Sequence, residues 1–86
     1  MFRHASHGGR PLQILAAQMA ARGHRMTESR EMLARDVLRI PHDFTEDDVL
    51  RCVEHHRLGV SRATVYRTLS LMVDAGLLTR VVDRKG

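Results

Sequence analysis

The chain is poor in several residue types. Its 86 residues include one cysteine, no tryptophan, one tyrosine, two phenylalanines, two prolines and a single lysine. A lone Cys52 excludes an internal disulfide and any paired-cysteine metal knuckle, and it makes a reducing, cytoplasmic setting the expectation. With aromatics at 3%, the core has to be built mostly from Leu, Val, Met and Ala. That favours helices with a small sheet over a β-sandwich, which needs many short strands rich in Val, Thr and Tyr. No apolar run approaches the roughly 20 residues of a membrane span, and the opening "MFRHASHGGRP" lacks the apolar centre of a signal peptide. No glycine-rich phosphate loop is present, and no spacing sets a nucleophile beside a base, so an enzyme is not expected.

What is present suits one small domain. Apolar residues make up 43%, enough for a core and too many for a disordered chain. The formal net charge is +4, with 14 basic residues of which Lys85 is the only lysine. An arginine excess fits a polyanionic partner, because guanidinium forks onto phosphate and guanine. It fits a GC-rich coding sequence equally well, so charge alone does not decide the partner.

Residues 1–9 are polar, carry two histidines and end in Gly-Gly, so they are expected to be a flexible arm, with the domain proper spanning residues 10–86. Pro11 suits the first position of a helix that Gly23 stops, with Leu12, Leu15 and Met19 at helical spacing. Thr27 caps a second helix with apolar stripe Leu33, Val37 and Ile40, ended by Pro41. Thr45 and Asp48 form a capping box for a third helix reaching about His56, with Val49, Cys52, Val53 and His56 along one side. After the turn "RLGV", Ser61 caps a fourth helix that Gly76 stops. "LLTRVV", residues 77–82, is a strand candidate and "DRKG" the turn after it. This order predicts a mostly α fold with a small β wing. It is a winged helix-turn-helix of four helices whose wing hairpin is incomplete.

The fourth helix has two faces. Val65, Leu69 and Met72 point one way, while Arg62, Ala63, Tyr66, Arg67 and Ser70 point the other. The second face is either an ordinary solvated surface or a recognition surface. Arginine can fork onto guanine, a tyrosine ring can pack on a thymine methyl, and Ser61 and Thr64 can bond phosphates at the helix start.

"SRATVYRTL" (61–69) followed by "MVDAGLL", together with Gly23, Arg25, Thr27, Arg30 and the "TEDDV" start at Thr45, resembles the DNA-binding domain of the ferric uptake regulator family of metal-responsive repressors. The likeness covers roughly residues 10–86. It implies a sequence-specific reader of AT-rich inverted repeats in double-stranded DNA. Tyr66, Arg67 and Arg25 would meet bases, Arg25 from the minor groove, and Arg30, Ser61, Arg62 and Thr64 would hold the backbone. It also implies a divalent metal of the iron or zinc class and a homodimer formed through a C-terminal metal-binding domain that this sequence lacks. The chain alone is then expected to bind metal weakly and to be monomeric or weakly dimeric. The family's histidine before the third helix corresponds to the slot of Asp43, with His42 one residue early, so both are candidate metal ligands. The alternative function is a winged-helix module that binds protein without reading DNA.

Overall fold

The structure is a computed structural model and describes residues 1–6 and 8–82. Its elements run β1 (Phe2–His4), α1 (Pro11–Ala21), α2 (Glu28–Arg39), α3 (Glu46–His55), α4 (Arg62–Asp74) and β2 (Leu78–Arg80). The helix starts follow from local chemistry. Pro11 opens α1, where its missing N–H has no partner to lose. The Thr27 hydroxyl accepts from the Arg30 N–H at 3.2 Å, and the Ser61 hydroxyl from the Thr64 N–H at 3.1 Å. At α3 the box is reciprocal: Thr45 accepts from the Asp48 N–H, and the Asp48 carboxylate accepts from the Thr45 N–H at 2.8 Å. The bond from the Thr45 backbone, with help from Arg51, holds the Asp48 carboxyl below the usual carboxylate range.

Three helices end in the same way. The N–H after the cap bonds the carbonyl two residues back from the cap, and the next N–H reaches one residue further: Gly23 to Ala20 and His24 to Met19, Gly76 to Val73 and Leu77 to Met72, Arg57 to Glu54 and Leu58 to Val53. The first residue of each pair has positive φ. Gly23 and Gly76 adopt it freely, whereas Arg57 does so with a side chain, at φ 52°. A left-handed conformation costs a non-glycine residue about 1 kcal/mol. Arg57→Gly is therefore expected to raise stability by about 0.5–1 kcal/mol, measured by urea denaturation; a loss of stability would show that the Arg57 side chain makes a compensating contact.

Helices α1 to α3 all pack against α4, whose Val65, Thr68, Leu69, Leu71 and Met72 are buried. The Thr68 hydroxyl, inside that face, donates to the Thr64 carbonyl at 2.7 Å and so carries no unpaired polar atom into the core. Cys52 is half-buried on α3, and burial pushes its thiol up from the ordinary range, with the Asp36 and Asp48 carboxylates acting in the same direction. His56, on the same side of α3 as Val49, Cys52 and Val53, caps the helix end. It is exposed at the end of α3, and its Nδ1 lies 2.6 Å from an Asp36 carboxylate oxygen on α2.

The N-terminal segment corrects the sequence reading most. Residues 1–9 are not simply a free arm, because Phe2–His4 forms β1, antiparallel to β2 with Phe2 opposite Arg80 and His4 opposite Leu78. Phe2 also turns its N–H and carbonyl to Phe44, at 2.6 and 3.0 Å, while Ala5 and Met1 bond Leu77 and Val81 on the other edge. Thus β1 lies between Phe44 and β2. The physical reason is the Phe2 ring, 1% exposed and stacked on Phe44 with centroids 5.6 Å apart. Arg3 forks onto Asp43, and His4 Nε2 sits 2.7 Å from the Ile40 carbonyl. The strand expected at 77–82 is shorter, Leu78–Arg80. The turn expected at "DRKG", residues 83–86, lies outside the described residues.

Candidate nucleic-acid interface

The outer face of α4 is formed as its spacing predicts. Arg62, Ala63, Tyr66 and Arg67 are exposed, and Ser70 is half-buried one turn beyond Tyr66. Tyr66 is 39% exposed, so the one tyrosine contributes to the surface while both phenylalanines are in the core. Arg62 and Arg67 form no ion pair among the described residues.

At the foot of α4 lies an open cleft of about 320 Å³, lined among others by Arg25, Thr27, Arg30, Ser61 and Thr64. Here the capped N-termini of α2 and α4 meet, so the positive ends of two helix dipoles and their backbone N–H groups border one concavity. Arg30 is anchored there, with Nη1 donating to the Arg25 carbonyl at 3.0 Å, and the Ser61 hydroxyl donates to Thr64 Oγ1 at 3.1 Å. The fold therefore gathers Arg25, Arg30, Ser61 and Thr64, read from two distant stretches of sequence, beside the face that carries Arg62, Tyr66 and Arg67. Ser29, Gly59 and Val60, which sequence reasoning did not single out, also line the cleft. The tight turn from α3 to α4 puts Gly59 and Val60 there.

The metal candidates are not gathered in this way. Both Asp43 carboxylate oxygens accept from Arg3, at 2.8–3.2 Å, and those hydrogen bonds hold the carboxyl below the usual carboxylate range. His42 Nδ1 lies 2.7 Å from the Asp43 carbonyl. Among the described residues no three His, Cys, Asp or Glu side chains come together as a metal site.

Sequence reasoning also passed over Arg80. Its Nη2 lies 3.3 Å from Ser70 Oγ, and its guanidinium lies 5.2 Å from the centre of the Phe2 ring. The available signal was Leu78 and Arg80 two residues apart in the strand, hence on one face, but the ring that receives Arg80 lies in the segment taken for an arm.

A helix, a tight turn, a second helix with a cationic face and a flanking antiparallel strand define a winged helix-turn-helix. The model of the ferric uptake regulator family matches residues 21–86, and the chain belongs to that family. No curated protein and no solved structure matches it. Family membership suggests a metal-responsive regulator that binds DNA. No helix among the described residues is long and apolar enough to cross a membrane.

Proposed function

We propose that this chain is the sequence-reading module of a metal-responsive repressor, one copy engaging each half-site of an AT-rich inverted repeat. The observation that carries the reading is the meeting of two capped helix N-termini with Arg25 and Arg30 beside the exposed Arg62, Tyr66 and Arg67. The cleft suits a phosphate of the DNA backbone, which fixes the helix in register, with Arg30, Ser61, Arg62 and Thr64 as its holders. Tyr66 and Arg67 then face base edges in the major groove, and Arg25 reaches the adjacent minor groove. There an AT-rich sequence offers a narrow, strongly negative channel.

Metal responsiveness needs donors beyond those described. Asp43, which accepts from Arg3, and His42 beside it remain the candidates of this chain. One imidazole holds an iron- or zinc-class ion weakly.

Fluorescence anisotropy on an AT-rich inverted-repeat duplex and a scrambled duplex, at several salt concentrations, tests the reading. Binding should favour the repeat and weaken steeply with salt. Arg30→Ala should weaken both duplexes alike and make the salt slope shallower by about one. No binding to either duplex at low salt would favour the protein-binding alternative instead.

A further inference from the structure

We infer that Arg80 on β2 is a further contact to DNA phosphate, and that Phe2 on the N-terminal strand is the residue that positions it; this rests on the DNA-reading function proposed above. Phe2 and Arg80 are direct partners across the β1–β2 pair, so both side chains lie on one face of the sheet. That face turns towards the helices. Phe2 goes down into the core at 1% exposure, and the Arg80 guanidinium lies over its ring, 5.2 Å from the centroid. An aromatic face attracts a guanidinium and leaves its N–H edge open.

From this platform Arg80 reaches α4. Its Nη2 is 3.3 Å from Ser70 Oγ, and Ser70 lies one turn beyond Tyr66 and three residues beyond Arg67 on the outer face. The positive charge is thereby delivered to the flank of the reading face. The guanidinium has five N–H donors, and the Ser70 contact uses one of them. The pairing pattern groups Arg80 with Arg62 and Arg67 of the reading face, which also pair with no carboxylate among the described residues. Arg3, Arg22, Arg35 and Arg51 each pair with a carboxylate, whereas among the described residues no carboxylate pairs with Arg80.

The platform is rigid because β1 is held on both edges, to Phe44 on one side and to the β2 segment on the other. It also lies ahead of residue 21, where the family match begins. Arg80 itself lies within the matched span, and the residue that positions it, Phe2, lies outside it.

Anisotropy titrations across salt, with the inverted-repeat and scrambled duplexes, test the inference. Wild-type protein should prefer the repeat and lose that preference in Tyr66→Ala. Arg80→Gln should bind both duplexes more weakly, by roughly five- to tenfold at about 0.1 M salt, with a slope shallower by about one. Phe2→Leu keeps an apolar side chain in the core but removes the ring. It should shift the slope as Arg80→Gln does, at a temperature where circular dichroism shows it folded, and the double variant should fall no further. A purely structural role for Phe2 lowers the melting temperature and leaves the slope unmoved; that result, or an unchanged slope in Arg80→Gln, overturns the inference while leaving the DNA reading intact. Wild-type protein that binds neither duplex overturns the reading itself, and the inference with it.

Discussion

Phe2→Ala is expected to destabilise the domain by about 3–5 kcal/mol, the range for truncating a fully buried aromatic. Phe2 is 1% exposed and stacks on Phe44, so alanine leaves a cavity bounded by Phe44 and the face of β2. A domain of this size holds roughly 5–15 kcal/mol in total. Each kcal/mol is worth about 4–8 °C of melting temperature, so a drop of at least about 12 °C is anticipated. Arg3→Ala is the control. It removes an ion pair in which Arg3 is largely exposed, and solvent screening leaves such a pair little effect on stability. If Phe2→Ala melts within a few degrees of wild type, β1 does not hold Phe2 in the core.

That residue also marks the limit of what the sequence makes legible. Helix boundaries are local: a proline at a first turn, a hydroxyl three residues before an amide, a glycine where φ must be positive. These signals place α1 to α4 to within a residue or two, and the helical period separates Val65, Leu69 and Met72 from Tyr66 and Arg67. The strand β1 has no such signature. Three residues are too few for alternation to show, and the one apolar member is followed by two polar ones, Arg3 and His4. Its partner strand begins at Leu78, at the other end of the chain. Only tertiary pairing decides such a segment.

The same distinction runs through the candidate site. Tyr66 and Arg67 were legible because one helix carries them. The cleft was legible only in pieces, since Arg25 and Arg30 meet Ser61 and Thr64 through the packing of α2 against α4. Arg57 was not legible at all in its left-handed conformation, because the position suggests glycine and the sequence has arginine. Asp43 shows the reverse case. As a sequence position it is a metal candidate, but the docking of β1 brings Arg3 onto its carboxylate.

Arg67→Ala should weaken binding to the preferred duplex by about 1–3 kcal/mol, roughly 5- to 150-fold, the range for a bidentate contact to guanine. Folding stability should stay within about 0.5 kcal/mol of wild type, because the side chain is exposed and forms no ion pair among the described residues. Arg67→Lys separates charge from recognition. Lysine keeps the positive charge but lacks the planar fork, so the salt slope should hold while preference for the repeat over the scrambled duplex falls. Tyr66→Phe makes the parallel separation on the same face. The ring remains to pack on a thymine methyl and the hydroxyl is lost, so most of the sequence preference should survive, whereas Tyr66→Ala should remove it. If Arg67→Lys and Tyr66→Ala both retain the full preference, α4 is held near the DNA by charge alone and the bases are read elsewhere.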